Sequence, residues 1–232
     1  MVIPARLSDG YRAFLDARLP IERSRYQKLA ETGQRPETMV ICCCDSCVSP
    51  EVVFDAHPGE LFVVRNIANL VPPYDAGASF THGVSAALEF TVELLKVKHI
   101  LVLGHTHCGG IRAFAEHHSR FTQGDSIDNW VSLVAPVAKT AGLRDITTHA
   151  ACLARLEQAS IVLTLDNLMT FPWIRAAVEQ RRLQLIGAYF DVGSGSLTVM
   201  TPERTRSCRS RISLRRQLRR PRARGSRDVL AS

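Results

Sequence analysis

Residues 38–47 read TMVICCCDSC, an apolar, partly β-branched run that ends in a cluster of cysteines. The run from Thr38 to Cys43 predicts a short buried β-strand. The cluster then falls at that strand's carboxyl end. Four of the chain's seven cysteines lie between Cys42 and Cys47. The spacing alone is open to four readings: disulfide partners, buried core thiols, a Cys44-x-x-Cys47 redox pair, or metal ligands.

A second stretch has the same form. His99 to Leu103 (HILVL) is a buried strand that runs into GHTHCGG at 104–110. Leu61–Val64 (LFVV), Leu183–Phe190 and Ser196–Met200 also read as strands. Helical periodicity occupies 9–31, 50–56, 81–97 with Thr81 as N-cap, the segment opening at Ile111, 125–142, 147–170 and 172–182. The IVLTL run at 161–165 is β-branched and fits strand as well as helix. Strands alternating with helices predict an α/β fold: a central, mostly parallel sheet flanked by helices, with an N-terminal helical arm. Such sheets bind ligands at the carboxyl ends of their strands, where both cysteine-bearing stretches fall.

The chain has 232 residues, 46% of them apolar and 22% charged, enough for one well-filled domain. No run of 18 or more apolar residues occurs, so no membrane span is expected. The first twenty residues lack the pattern of a secretory signal. The expected setting is therefore cytoplasmic and reducing, where clustered cysteines more often bind metal or catalyse than pair as disulfides. The net charge of +7 is unevenly placed. Residues 203–232 hold eleven arginines against Glu203 and Asp228, a charge of +9, which leaves −2 for the rest. The division expected is one domain over 1–202 and an Arg-rich, disordered tail over 203–232. The tail contains no aromatic residue to stack on bases, so nucleic-acid binding is not expected.

His105 and Cys108 stand in H-x-x-C spacing, a weak signal alone. Together with a C-x-D at a neighbouring strand end it becomes much stronger. Two thiolates, an imidazole and a carboxylate make a donor set that suits zinc.

Cys43-Cys44-Asp45-Ser46, followed about sixty residues on by Gly104-His105-Thr106-His107-Cys108-Gly109, resembles the β-class carbonic anhydrases, which carry C-x-D-S-R and G-H-x-x-C-G. PGELFVVRNIANLVP at 58–72 and LIGAYFDVGSGSL at 185–197 are similar in kind, and the likeness covers roughly residues 10–200. It implies Zn2+ as cofactor, with Cys43, His105 and Cys108 as ligands and Asp45 as catalytic residue. With Cys43 as the ligand, strand alternation turns Cys42 and Cys44 away from it, and both are read as small buried thiols. His107 is read as a plain surface or packing histidine, with a proton relay as the alternative, His117 and His118 as solvated, Cys152 as core and Cys208 as exposed. The implied reaction is reversible hydration of carbon dioxide to bicarbonate and a proton, by attack of a zinc-bound hydroxide. The implied assembly is a homodimer or higher homo-oligomer.

One position departs from the family pattern: Cys47 stands where the family has arginine. A guanidinium grips a carboxylate bidentately, whereas a thiol offers one weak donor and no charge. Asp45 is therefore expected to turn onto the metal as a fourth ligand and close the site. The alternative closed form has Cys47 itself reaching the metal, and against closure stands compensation by another arginine, Arg65 or one from a partner subunit. A closed site makes the second functional reading an inactive, zinc-stabilised scaffold. Some family members bind bicarbonate at a non-catalytic site of Trp, Arg and Tyr. Here Arg65 and Tyr189 match in kind, but Val40 occupies the tryptophan position, and no such site is expected.

Overall fold

A computed structural model describes residues 3–75, 83–116, 126–140 and 150–200. The arm begins with α1 (Ala5–Ala13), which passes through a π turn at Phe14–Arg18 into α2 (Leu19–Thr32). The helix thus starts four residues earlier than its periodicity predicts. Pro20 has no N–H to give to the preceding turn, which widens at that point. Among the arm's described residues only Glu22 is buried.

Next come β1 (Thr38–Cys43), a short α3 (Pro50–Val53) and β2 (Leu61–Asn66). A 3-10 turn follows at Ile67–Asn69, with Ala68 and Asn69 at φ of 61° and 49°. α4 (Gly83–Glu89) runs on into a π turn at Phe90–Leu94, and β3 (His99–His105) follows. The predicted cap Thr81 lies outside the described residues, as do His117, His118 and Cys208.

The chain continues through α5 (Gly109–Glu116), α6 (Ser126–Val131), a 3-10 turn at Ser132–Val134 and α7 (Ala135–Thr140). It ends its described part with α8 (Ala150–Leu168), α9 (Pro172–Glu179), β4 (Gln184–Phe190) and β5 (Leu197–Val199). The ambiguous IVLTL segment is helical. Ile161, Val162, Thr164 and Leu165 all lie in the core, and a helix buried almost all round needs no polar stripe.

The sheet has five strands in the order β2-β1-β3-β4-β5, parallel except for β5. Alternation divides β1 and β3 between two apolar layers. Met39, Ile41, Ile100 and Val102 pack on one face with Ile161, Leu168 and Phe171. Val40, Cys42 and Leu103 pack on the other with Ile111, Val134 and Leu156. Because β1 and β3 are parallel neighbours, with Cys42 opposite Leu103, Cys43 and His105 emerge on the same sheet edge. No single helix among the described residues is long and apolar enough to cross a membrane.

Candidate metal centre

Four side chains converge at that edge. One ligand atom from each of Cys43, Asp45, His105 and Cys108 lies within 4.8 Å of all the others. Cys43 is the last residue of β1. Its sulfur accepts the amides of Asp45 at 3.5 Å and Ala68 at 3.4 Å. The left-handed backbone at Ala68 supplies the second of these by curling the chain after β2 under Cys43.

His105 ends β3 and is almost fully buried. Its Nδ1 is 2.8 Å from the Thr106 carbonyl, so Nδ1 carries the hydrogen and donates it. This leaves Nε2 as a lone-pair nitrogen that is buried and has no hydrogen-bond partner among the described residues. It lies 3.4 Å from Asp45 Oδ2. A buried lone pair aimed into a cluster of thiols and a carboxylate is the position expected of a metal ligand.

Cys108 precedes α5, and its sulfur is 3.8 Å from that of Cys43. Asp45 is held by the Gly109 amide, which donates to Oδ2 at 2.8 Å from the first turn of α5.

The donor set and its spacing fit zinc. Tetrahedral zinc with Zn–S bonds of about 2.3 Å separates two sulfurs by about 3.8 Å, and its N and O ligands by about 3.4 Å. The observed separations are 3.8 Å between Cys43 and Cys108 and 3.4 Å between His105 and Asp45.

Without a metal the two thiols share a proton. The hydrogen bond from Cys108 pulls the Cys43 thiol well below its ordinary range. Burial opposes this, while His105 and the Asp45 and Ala68 amides assist. Cys108, as the donor, is pushed up, and burial adds to the effect. Burial alone would lower His105, but the neighbouring Cys43 thiolate favours its charged form and raises it overall.

The other cysteines divide differently from the sequence expectation. Cys42 is buried, and burial pushes its thiol up to about 12, so it is an inert core group. Cys44 is exposed, which corrects the expectation of a second buried thiol. The strand ends at Cys43 and the chain turns outward, so alternation no longer applies. Cys152 is half-buried against the second apolar layer.

Cys47 is exposed, and its sulfur sits 3.9 Å from His105 Nδ1, the side of the ring turned away from Asp45. It is not one of the four clustered groups. Arg65 does not replace the missing guanidinium. Its Nη2 donates to the carbonyls of Asp45 at 2.7 Å and Val48 at 2.6 Å, and its Nε to that of Cys43 at 3.0 Å. It fastens the backbone of the loop and leaves the carboxylate alone. His107 is exposed with a φ of 60°, clear of the four-residue cluster.

Glu157 escaped the sequence reading. It is buried on α8, and its Oε1 accepts the Cys108 amide at 3.0 Å. Its Oε2 accepts the Tyr189 hydroxyl at 2.5 Å. The available signal was slight: Glu157 is the one acidic residue between Ala150 and Leu165. Tyr189 is thereby engaged by an acid, and Arg65 by carbonyls.

The profile of the family described as Carbonic anhydrase matches residues 38–197. Beta carbonic anhydrase 3 of Arabidopsis thaliana is 34% identical over 195 residues, which cover 82% of this chain and 74% of that protein. Beta carbonic anhydrase 5, chloroplastic, of the same plant is 40% identical over 188 residues, which cover 80% of this chain and 60% of that protein. One of two tetrameric β-carbonic anhydrases from Sordaria macrospora is 31% identical and superposes with a TM-score of 0.72, covering 84% of this chain and 95% of that one. A parallel α/β sheet with a Cys-Asp-His-Cys cluster at its carboxyl edge, and relatives of this closeness, define a zinc lyase class. The chain belongs to the β-class carbonic anhydrase family.

Proposed function

We propose that the chain catalyses reversible hydration of carbon dioxide to bicarbonate and a proton, from a resting state that Asp45 keeps closed. The observation that carries this reading is the packing of Asp45 Oδ2 among the other three donors, 3.4 Å from His105 Nε2. Cys43, His105 and Cys108 would hold the metal, with Asp45 as the displaceable fourth donor. When bound, zinc would supply a Lewis acid that brings the pKa of a ligated water to about 7.

The protein's own groups divide the remaining work. The Thr106 carbonyl keeps the hydrogen on His105 Nδ1 and so keeps Nε2 free as a ligand. Gly109 N–H retains Asp45 Oδ2 and limits how far the carboxylate travels when it leaves the ligand set. Once off the metal, Asp45 would accept a hydrogen bond from the attacking water and orient its lone pair toward the carbon of the substrate. The proton released then passes to buffer.

Cys47 makes the closed state the stable one, because the loop offers the carboxylate an amide but no cation. If zinc never frees a coordination position, the protein is instead a zinc-stabilised scaffold. A homo-oligomer is part of this proposal. The tetrameric Sordaria relatives support it, as do the exposed apolar side chains of the arm, including Leu7, Tyr11 and Ile21.

The test is stopped-flow hydration of carbon dioxide by the zinc-loaded protein, beside Cys43→Ser. Hydration faster than buffer that disappears with Cys43 is the expected result. A fully zinc-loaded protein no faster than buffer at neutral and alkaline pH alike would leave only the scaffold.

A further inference from the structure

Two carboxylates divide the free amides at the start of α5. An α-helix leaves its first N–H groups without internal partners. Here the Gly109 amide donates to Asp45, on the cluster side, and the Cys108 amide donates to Glu157, on the core side. Glu157 is itself fixed from two directions. Tyr189 on β4 donates to its other oxygen at 2.5 Å, and the Ser160 hydroxyl donates to its backbone carbonyl at 2.7 Å. Glu157 is 4% exposed, so these contacts are made away from water, where such bonds are strongest and their loss is most costly.

We infer that Glu157 is a positioning residue of the metal centre, which aims Cys108 by holding its backbone amide while Tyr189 holds Glu157. The inference rests on the reading of the cluster as a zinc site. Cys108 reaches the cluster from a turn whose preceding residue, His107, is in left-handed backbone. The Ile111 amide on the Cys108 sulfur and the Cys108 carbonyl, which accepts the Arg112 amide at 3.0 Å, tie the residue to the helix that follows, and the bond to Glu157 ties it to α8. With Glu157 gone, the Cys108 amide becomes a buried donor without a partner. The cluster itself holds two acceptors, the Cys43 sulfur and the Asp45 carboxylate. Turning toward either would rotate Cys108 and open the 3.8 Å separation of the two sulfurs. Burial followed by the Glu157 hydrogen bond raises the Tyr189 hydroxyl, so it remains a donor throughout the physiological range.

The role assigned here is geometric, and Glu157→Gln separates geometry from charge. A glutamine oxygen can still accept the Cys108 amide. Its NH2 can donate to the Tyr189 hydroxyl oxygen, which only has to turn round. Glu157→Met keeps the volume and removes both bonds.

The experiment uses the full chain, stripped with a chelator, reloaded with cobalt(II) for its visible spectrum and titrated with zinc against a chromogenic chelator. Glu157→Met is expected to weaken zinc binding by about 10- to 100-fold and to shift the thiolate-to-cobalt bands, the usual penalty for losing an outer-shell partner. Glu157→Gln is expected to stay within about threefold of the parent with an unchanged spectrum, against that same scale. A folded Glu157→Met protein with the parental spectrum and affinity overturns the inference. So does Glu157→Gln failing as badly as Glu157→Met, which would make the charge and not the position decisive. Should Glu157→Met not fold, Tyr189→Phe decides. It leaves Oε1 on the Cys108 amide but frees Oε2, and an unchanged cobalt spectrum there refutes the inference. A parent protein that takes up no zinc refutes the reading of the cluster instead.

Discussion

Asp45 and Gly109 are joined by a hydrogen bond of 2.8 Å that runs from a helix's first amide to a carboxylate oxygen. In the family's sequence pattern this aspartate is followed two residues later by arginine. Here that position is Cys47, whose sulfur lies near His105 Nδ1 and makes no bond to the carboxylate. A single amide can orient Asp45 but cannot balance its charge, so the dication remains the strongest partner within reach. Cys47→Arg should therefore draw Asp45 off the metal and speed hydration at neutral pH by about tenfold or more, equivalent to about 1.4 kcal/mol of barrier. Stopped-flow assays of parent and variant at equal zinc content measure this. A parent that already matches the variant would show that the Gly109 amide suffices.

Gly110 carries a second structural constraint. A Cβ there would lie 2.5 Å from Ile67 Cγ2, 3.0 Å from Ala68 Cβ and 3.2 Å from the Ala68 nitrogen. The Ile67 methyl could move, but the backbone of the 67–69 turn, already in left-handed conformation, cannot easily follow. Gly110→Ala should destabilise the fold by about 1–3 kcal/mol, the usual cost of overpacking. It should also weaken zinc binding, because the displaced Ala68 amide is one of the two that hold the Cys43 sulfur. Gly83, where an added Cβ would meet no atom of the described residues within 4 Å, is the control. Urea titration and a zinc competition assay on both variants check the pair, and equal behaviour of the two refutes the argument.

How far the sequence carried depended on the range of the interaction. The bounds of β1 were legible because strand and cluster are local, and the register of β1 on β3 follows from burial on both faces. The convergence of Cys43, Asp45, His105 and Cys108 was legible because both motifs sit at strand ends on one edge. Cys44 was misread because alternation was carried one residue past the end of the strand. The helix at 161–165 was undecidable locally, since an apolar run buried all round has no telling period; packing against β3 and β4 decides it. The bonds of Glu157 to Cys108 and Tyr189 span 49 and 32 residues, and no local pattern reports such contacts.

Metal uptake should expel protons in a pH-dependent number. In the free protein the Cys43–Cys108 pair holds one proton, because the bond between the thiols lowers Cys43 and raises Cys108. Zinc needs both as thiolates, so binding displaces that proton. Below the titration of His105, which is raised above its ordinary value, a second proton leaves from the imidazole. Zinc affinity should thus rise with pH, by about tenfold per unit where one proton is lost and more steeply where two are. Calorimetry in two buffers of different ionisation enthalpy counts the protons. Release of none at neutral pH would mean that both thiols are already ionised and would contradict the shared proton.

The helical arm is fastened by one buried acid. Glu22 Oε1 pairs with His57 Nδ1 at 2.6 Å and Oε2 with Arg25 Nε at 3.2 Å. Arg25 also reaches Glu60 at 3.2 Å, and Glu60 accepts the His57 amide at 2.9 Å. This network joins α2 to the turn before β2, and no apolar side chain among the arm's described residues is buried to assist it. His57 and Arg25 are half-exposed, so solvent screens the pairs, and Glu22→Ala should cost only about 1 kcal/mol. Its local effect should be larger than its global one. Limited trypsin digestion is expected to cut sooner at Arg18, Arg23 and Lys28 in Glu22→Ala, while the urea midpoint of the sheet domain moves little. Cleavage at the parental rate would mean that the arm is held by contacts other than this network, and the apolar faces of a second copy would then be the first place to look.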